Sequence, residues 1–437
     1  MNDEDSKASL GDAVDWLSSC AKLPAEVEAK ARLLLLDTFG CLVAGLRHGE
    51  VRKFGQALSH AFPGHAAWPA SDIALAPAGL AALGAAAACW DEACEGNASA
   101  HGRPGLPVVP AVLAFAVDRD IGLADLLLAL VTGYEVGTRA GELWRIPPGW
   151  HVDGSSHSLG VAAAVARLTS GAGAIQPAIE AAACQIPASL YLPIRSGSVL
   201  RNTYSAHAAL LGMLAAAAAD AGFDMPRGAL DEGRHQVLRS ANAGRATPPG
   251  HWTILDGYLK PFAGVRHTHY GAEAALRLRG NPAFSVQEIE AITLQIYAEA
   301  VQYCGNRAPR TAIQAQFSLS YAVAAALVLG DLGPEAYTDL AEPRIARLEQ
   351  MIVVDIDSDR GRRGAKLSID LGGKRLTESV DDIVGDPEMP MTRDGALRKF
   401  QRYVEPALGR RHADALAAFF LDGDAGASVR RCFTLAD

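Results

Sequence analysis

The stretch Cys89–Pro110, CWDEACEGNASAHGRPGLPVVP, is the part of the sequence around which the rest is organised. An Ala-rich run, AALGAAAA, leads into it, and a proline-flanked apolar run, PVVPAVLAFAV, leads out of it. Its glycines and prolines are predicted to break any helix: Gly96, Gly102, Pro104, Gly105 and Pro107. The stretch is therefore predicted to form a loop held between two packed elements.

The polar side chains of this loop suit proton transfer. Asp91, Glu92 and Glu95 are followed by His101 and Arg103. Carboxylates beside a histidine can act as acid and base because neighbouring groups move their pKa values apart. The alternative is that the acidic residues cap helix ends and His101 is an ordinary loop residue.

The composition indicates a large globular protein. A chain of 437 residues with 49% hydrophobic residues can bury a large core and is expected to form two domains. The net charge of −9 argues against nucleic acid or an anionic membrane as the main partner. An anionic substrate would therefore need a local cluster of Arg, Lys and His side chains.

Cysteine usage and the N-terminus predict a cytoplasmic location. The seven cysteines are scattered and include no CxxC pair, which is typical of reduced thiols. The N-terminal residues MNDEDSKASL are acidic and polar, unlike a signal peptide. The apolar runs are too short and too rich in alanine for a membrane span.

The sequence predicts a mostly α-helical fold. From Leu10 to about Asp256, segments such as EVEAKARLLLLDTFGCLVAGL show apolar residues at three- and four-residue spacing. Their alanines would allow close approach of helix axes. Asp37 within that segment is interpreted as a buried, paired carboxylate.

After His251 the spacing of apolar residues changes from a helical pattern to one that includes strands. ITLQIYAEAV, MIVVDIDSD and AKLSIDLGGKRLTES are typical of strands, the last with a turn at Gly372 and Gly373. Residues 1–256 and 390–437 are therefore predicted to form a large all-helical domain, into which residues 257–389 insert as a smaller α+β lid domain.

Common catalytic and metal-binding motifs are absent from the sequence. It contains no Walker A motif, no GxGxxG after a strand, no GxSxG and no HExxH. His267 and His269 lack a third ligand at a suitable spacing, so no metal site is predicted.

Two segments of the helical part carry candidate site residues. GWHVDG contains His151, which could act as an acid or base or be a structural histidine. GSVLRN contains Ser198 and Arg201 just before a helix, where backbone amides and a guanidinium could bind a carboxylate. The alternative for Arg201 is an ion pair with an acid elsewhere in the fold.

Two further segments follow the change of pattern. KPFAGVRHTH places Lys260, Arg266 and His267 at the predicted domain junction, where pockets commonly form. AQFSLSY places Gln316 and Tyr321 at the start of an apolar helix. Tyr321 could donate a hydrogen bond to an oxyanion or be a core tyrosine.

Taken together and in this order, the motifs resemble the MmgE/PrpD family, which includes 2-methylcitrate dehydratase, cis-aconitate decarboxylase and iminodisuccinate epimerase. The resemblance covers nearly the whole chain. It rests on LLLLDTFGCLVAG, the acidic loop with PVVPAVLA, TGYEVGTRAGEL, GWHVDGSSHSLGVAAA, KPFAGVRHTHYGAEAAL and AQFSLSYAVAAAL.

The resemblance implies a homodimer with a cleft between two domains, no metal and no organic cofactor. The residues that it implies to be catalytic are Asp91, His101, His151, Lys260 and Tyr321. The predicted substrate-binding residues are Glu95, Arg103, Ser198, Arg201, Arg266, His267 and Gln316.

Three positions depart from the decarboxylase branch of the family. Glu95 replaces a threonine, Arg201 replaces a lysine, and Val265 replaces a histidine. For this reason dehydration of a small di- or tricarboxylate, as by 2-methylcitrate dehydratase, is the preferred hypothesis. Decarboxylation of the cis-aconitate type, epimerisation with His151 opposite Lys260, and a non-catalytic carboxylate-binding scaffold are the alternatives.

We expect the activity to survive dialysis against a strong chelator, because the sequence contains no set of ligands at zinc spacing. Turnover before and after dialysis is the measurement. Activity that disappears on dialysis and returns with a divalent ion would contradict this prediction.

Overall fold

The computed structural model describes residues 9–144, 146–147, 149–236 and 245–434. Residues 1–8, which include most of the acidic N-terminus interpreted above, lie outside this range. About 59% of the chain is helical, so the prediction of a mostly α-helical fold is confirmed. Among the described residues, no helix combines the length and apolar character needed to cross a membrane.

The N-terminal part is built from helices and short extended segments. They are α1 (Leu10–Ser19), α2 (Ala25–Gly45), α3 (Gly49–Ala61), β1 (Pro63–Ala66), α4 (Pro77–Cys89), α5 (Gly105–Arg119), α6 (Leu123–Leu143), β2 (Trp150–His151), α7 (His157–Ser170), α8 (Ile175–Ala183), β3 (Ser189–Leu190), α9 (Leu192–Ser196), α10 (Tyr204–Asp220) and α11 (Ala229–Gln236).

Small residues allow these helices to pack closely. A Cβ atom on Gly45 of α2 would lie 2.0 Å from the carbonyl oxygen of Ala87 in α4. Gly133 of α6 and Gly160 of α7 meet in the same way, since a Cβ on either would lie within 2.6 Å of the other's carbonyl oxygen. The alanine- and glycine-rich runs thus serve helix packing, as the sequence predicted.

The loop predicted around Asp91 to Arg103 is present, but it is shorter than expected. Helix α5 begins at Gly105, although Gly105 and Pro107 were predicted to break a helix. Proline is tolerated there because the first-turn N–H groups of a helix have no intrahelical partner. The loop therefore spans residues 90–104.

The C-terminal part contains the main sheet. Its elements are α12 (Arg266–Arg279), β4 (Ile289–Ile296), α13 (Ala298–Cys304), α14 (Ala312–Gln316), α15 (Leu319–Leu329), α16 (Pro343–Met351), β5 (Ile352–Ile356), β6 (Ala365–Leu371), β7 (Lys374–Val380), α17 (Arg393–Leu408), α18 (Arg410–Asp422) and α19 (Val429–Thr434).

The four strands form a sheet in the order β5-β4-β6-β7. β4 pairs parallel with β5 and antiparallel with β6, and β6 pairs antiparallel with β7. Gly372 and Gly373 have φ values of 50° and 83°, as a tight two-residue hairpin turn requires. The segment ITLQIYAEAV is a strand only as far as Ile296, and its second half forms helix α13.

Main-chain hydrogen bonds join the loop between α4 and α5 to the segment that precedes α12. Gly96 and Tyr258 exchange N–H···O bonds of 3.0 and 2.8 Å, and Gly264 donates to the carbonyl oxygen of Asp91 at 3.2 Å. These bonds place residues 258–267 directly against the loop. The assignment of residues 257–389 to a separate lid domain stays a prediction.

Helix α17 returns to the N-terminal part and packs on α2. The ring of Phe400 lies against Gly40, where a Cβ would approach within 3.0 Å. Lys399 donates to the Oδ1 atom of Asp37 at 2.5 Å and to the carbonyl oxygen of Ala93 at 2.7 Å. Asp37 is therefore a buried, paired carboxylate, in agreement with its interpretation from the sequence.

We expect Lys399→Met to lower the free energy of unfolding by about 3–5 kcal/mol, because it leaves Asp37 charged, buried and unpaired. Arg393→Met is the matched control on the same helix. It removes an ion pair to Asp422 in which both side chains are more than half exposed, and should cost less than about 1 kcal/mol.

Urea unfolding of the two variants measures both effects. Adding Asp37→Asn to Lys399→Met should recover part of the loss, because the uncompensated charge is then removed. Equal losses for Lys399→Met and Arg393→Met would contradict the assignment.

Candidate active site

A cavity of about 480 Å³ lies where the loop between α4 and α5 meets residues 258–267. Seven of the residues predicted from the sequence line it: His101, Arg103, His151, Arg201, Lys260, Arg266 and His267. Glu92 and Asp153 also line it, although Glu92 was predicted only as one of three acids in the loop and Asp153 was not predicted.

The central feature of the cavity is a buried cluster of ion pairs. Arg103 pairs with Glu92 at 3.0 Å and also with Asp153. Arg201 pairs with the same two carboxylates, at 3.0 Å to Oδ2 of Asp153. Each carboxylate is therefore shared between two arginines. Both guanidinium groups are buried.

Lys260 is the third cation of the cluster. Its Nζ atom donates to Oε2 of Glu92 at 3.0 Å, to the carbonyl oxygen of Glu92 at 2.6 Å and to that of Gly264 at 3.3 Å. Burial lowers the pKa of Lys260, whereas the Glu92 carboxylate opposes that change. The three hydrogen bonds use all three hydrogens of the ammonium group, so this geometry fits the charged form.

The cluster carries an excess of positive charge. Burial opposes ionisation of Glu92, but Arg103, Arg201 and Lys260 together bring its pKa to about 2. Burial likewise opposes ionisation of Asp153, and Arg103 is the first of the neighbours that lower its pKa. Three cations thus face two carboxylates, which leaves one positive charge able to attract an anion.

His151 is placed as a neutral hydrogen-bond donor. The backbone N–H of Asp153 donates to Nδ1 of His151 at 3.1 Å, so the ring hydrogen is assigned to Nε2. Burial lowers the pKa of His151 to about 4, and Asp153 opposes this. His151 can therefore donate a hydrogen bond into the cavity, but Nδ1 cannot serve as a base.

His101 is exposed at the cavity, and its imidazole has no hydrogen-bond partner among the described residues. Its φ of 52° lies in the left-handed region, which residues other than glycine rarely adopt. Glu92 in the same loop also has a φ of 52°. Such strain commonly marks functional positions. His101 is the histidine best placed to exchange protons with a bound molecule.

One group of potential metal ligands occurs among the described residues. Ligand atoms of Cys89, Glu92 and Asp153 lie within 4.8 Å of one another. The two carboxylates are already paired with Arg103, Arg201 or Lys260, and Nη1 of Arg201 lies 2.8 Å from the Cys89 sulfur. Burial raises the pKa of the Cys89 thiol. These donors are arranged for arginine and lysine, and do not fit a divalent ion.

Two of the predicted acidic residues lie outside the cavity lining. Asp91 turns away from it and its Oδ1 lies 3.0 Å from Nε2 of His48. Glu95 is buried behind the loop, where its Oε1 accepts from the N–H of Leu106 at 3.1 Å. Burial raises the pKa of Glu95 to about 8 despite the opposing charge of Arg103, so its carboxyl is protonated at neutral pH.

Three other predicted residues also lie outside the lining. Tyr321 donates to the carbonyl oxygen of Ala336 at 2.6 Å, and Gln316 donates to that of Trp90 at 3.1 Å. Ser198 caps the 3-10 helix Val199–Thr203 by accepting from a backbone N–H. In each case a main-chain group of the protein is the hydrogen-bond partner of the side chain that was expected to meet the substrate.

Sequence reasoning missed Glu92 and Asp153 for different reasons. Asp153 lies two residues after His151 in GWHVDG, and its proximity to a candidate histidine could have identified it. Glu92 is one of three acids in five residues, and nothing in their order shows which one faces inwards. Its orientation follows from the end of α4 at Cys89 and from its own left-handed backbone.

The fold and site define a mostly α-helical protein with a cavity suited to small anions. The chain belongs to the MmgE/PrpD family: residues 17–243 match the family's N-terminal domain and residues 262–422 its C-terminal domain. The expected family is therefore confirmed.

Two characterised relatives are similar over most of their length. A cis-aconitate decarboxylase of Aspergillus terreus is 24% identical over 432 residues, which cover 88% of this chain and 87% of that protein. The cis-aconitate decarboxylase of Aspergillus terreus strain NIH 2624 / FGSC A1156 is 24% identical over 431 residues, with the same coverage. These matches support an enzyme with a lyase-type activity.

We expect Glu92→Gln to destabilise the fold at neutral pH by about 3–5 kcal/mol, because three buried cations lose a shared partner. The pKa of Glu92 is depressed from 4.5 to about 2, so the stability that it contributes is present above pH 4.5 and is lost as the pH falls towards 2. The difference from the wild type should therefore shrink below pH 4.5.

Urea unfolding at pH 7, 4.5 and 3.5 measures this difference. Glu290→Gln, at an exposed position in β4, is the control and should show a small effect at each pH. If the difference in the free energy of unfolding between wild type and Glu92→Gln stays constant from pH 7 to 3.5, the assigned role of the ionised carboxylate is wrong.

Proposed function

We propose that this protein is a lyase that acts on a small di- or tricarboxylate without a metal or organic cofactor. The observation that carries the proposal is the buried cluster of Arg103, Arg201 and Lys260, which exceeds its two carboxylate partners by one charge. A substrate carboxylate would complete the compensation of charge in this cavity.

Such a cluster supports chemistry next to a carboxylate. A proton on a carbon beside an ionised carboxylate is weakly acidic, because its removal places a second negative charge on the same group. Buried cations held in fixed positions beside the group stabilise that developing enediolate. The ion pairs already hold Arg103 and Arg201 in place, so little reorganisation is needed when the charge develops.

We propose dehydration as the reaction. His101 removes the proton beside the carboxylate, the bond to the neighbouring hydroxyl breaks, and the imidazolium returns the proton to the departing hydroxide as water. His151 donates a hydrogen bond from Nε2 to an oxygen of the substrate during this step and keeps its proton. The products are an unsaturated acid and water, and His101 ends in its starting form.

Decarboxylation is the second candidate, because both characterised relatives named above are cis-aconitate decarboxylases. Val265 argues for dehydration, since it lines the cavity where the decarboxylase branch is expected to carry a histidine. Loss of a histidine at that position removes one proton donor for a carbanion left by departing carbon dioxide.

Epimerisation has less support. It requires a base on each side of one carbon, and His151 with Lys260 was the expected pair. Nδ1 of His151 accepts a backbone N–H, and Lys260 uses its three hydrogens as a charged ammonium. Neither group is therefore poised to remove a proton.

A panel of acids tests the proposal. Purified protein is incubated with citrate, 2-methylcitrate, cis-aconitate and iminodisuccinate in deuterated water, and the products are followed by NMR. Formation of an unsaturated acid with loss of water supports dehydration. Release of carbon dioxide supports decarboxylation. Deuterium that enters unreacted substrate without loss of water or carbon dioxide supports epimerisation. Acids that bind but never react would indicate a non-catalytic carboxylate-binding protein.

We expect His101→Ala to reduce kcat by about 10²–10⁴-fold, the usual contribution of a group that transfers a proton. His60→Ala, at an exposed position in the last turn of α3, is the matched control and should leave kcat unchanged. Steady-state kinetics on whichever acid turns over is the measurement. Near wild-type turnover by His101→Ala would exclude this histidine as the base.

A further inference from the structure

Arg363 brings a further guanidinium to the cavity, on the loop between β5 and β6. Its nearest acid is Glu299, with Nη2 3.6 Å from Oε2, which is longer than a hydrogen bond. Among the described residues its side chain makes no hydrogen bond. A guanidinium offers five N–H donors, so Arg363 can bind a carboxylate from a ligand without breaking a hydrogen bond.

Arg266 lies beside the same part of the cavity and has unused donors. Its Nη2 atom pairs with Asp386, but its buried Nε and Nη1 atoms have no hydrogen-bond partner. The guanidinium lies 4.9 Å from the ring centre of Tyr258 and 5.3 Å from that of Tyr270. These ring contacts hold the charge of Arg266 beside the cavity, where it adds to that of Arg363.

His267, the second residue of α12, is the third member of the group. Its Nδ1 atom lies 2.7 Å from the hydroxyl of Tyr297, and its ring stacks on Tyr303 at 5.9 Å. Burial lowers the pKa of His267 to about 3, so the ring is neutral. Its Nε2 atom has no hydrogen-bond partner within the described ranges.

These residues are separate from the buried ion-pair cluster. Arg363, Arg266 and His267 form no ion pair with Glu92 or Asp153, the two carboxylates that hold Arg103 and Arg201. They also come from the chain beyond residue 257, whereas Arg103 and Arg201 come from the helical part. The cavity thus has a second group of anion-binding side chains beside the cluster of Arg103, Arg201 and Lys260.

We propose that Arg363, together with Arg266 and His267, forms a second carboxylate-binding subsite. One carboxylate of the substrate meets Arg103 and Arg201, and another on a different carbon meets Arg363. This inference rests on the proposed function and assigns two carboxylates of its substrate, on different carbon atoms, to two separate groups of side chains. Acids with a single carboxylate offer Arg363 no second carboxylate and bind more weakly.

The loop that carries Arg363 is held in a defined position. Arg360 pairs with Asp381 at 2.7 Å, and Gly364 has a φ of 149° that a side chain would strain. A Cβ on Gly364 would also lie 2.8 Å from the carbonyl oxygen of Val380. Arg363 is therefore presented by an ordered support, which reduces the entropy lost on binding.

Arg362 provides a matched control in the neighbouring position. Its side chain is 56% exposed and pairs with Asp381 and Asp382 on the surface. Arg362→Ala removes the same charge from the same loop without touching the cavity. Comparison with Arg363→Ala therefore separates a specific contact from a general change in electrostatic field.

Succinate and butyrate are the probes for the subsite, because butyrate replaces one carboxylate of succinate with a methyl group. Calorimetric titration measures the affinity of wild type, Arg363→Ala and Arg362→Ala for each acid. We expect Arg363→Ala to weaken succinate binding by about 10–100-fold, which is the usual change in affinity when a hydrogen bond to a charged group is lost. Its affinity for butyrate, and both affinities of Arg362→Ala, should stay close to wild type.

The outcomes distinguish the subsite from the proposed function. The subsite proposal is wrong if the wild-type protein binds succinate no better than butyrate. It is also wrong if Arg363→Ala still binds succinate more tightly than butyrate to the same extent as the wild type. Loss of the preference in Arg363→Ala supports the subsite. If that loss occurs in a protein that converts none of the acids in the panel, the subsite stands and the lyase proposal fails.

Discussion

The ion pairs between Arg103, Arg201, Lys260, Glu92 and Asp153 are the interaction on which the rest of the structure depends. Each of these charges is buried, and any one of them alone would cost several kcal/mol of desolvation. They come from the α4–α5 loop, the segment before α7, the turn before α10 and the segment before α12. The cluster can form only when all four segments are in place, so it ties the cavity to the fold.

Contacts on both sides hold the α4–α5 loop in the position that the ion-pair cluster needs. Behind it, Asp91 contacts His48, and Lys399 of α17 donates to the carbonyl oxygen of Ala93. In front, Tyr258 pairs with the loop main chain at Gly96. These contacts maintain the left-handed backbone that directs Glu92 inwards and leaves His101 at the cavity. Stability and the geometry of the site therefore have the same origin.

Much of the fold and part of the site could be predicted from local patterns. Helical periodicity, the alanine-rich packing faces and the hairpin at Gly372 and Gly373 depend on neighbours in the sequence, and the structure contains them. Cationic candidates such as Arg201 and Lys260 were also recognisable, because a protein of net charge −9 has little reason to concentrate them unless they are paired or bind an anion. Tyr321 and Asp91 were less predictable, since each uses its polar atom on a partner distant in sequence.

The sequence by itself determined the family, the helical class and the set of charged residues from which the site is built. Only the tertiary structure decided that Glu92, and not Asp91 or Glu95, joins the cations, and that Arg363 faces the cavity while Arg362 faces solvent. The reason is that residue type and periodicity are local properties, whereas the pairing of a buried charge depends on which separate chain segments the fold brings together. Lys260 and Glu92 lie 168 positions apart, yet they form one ion pair.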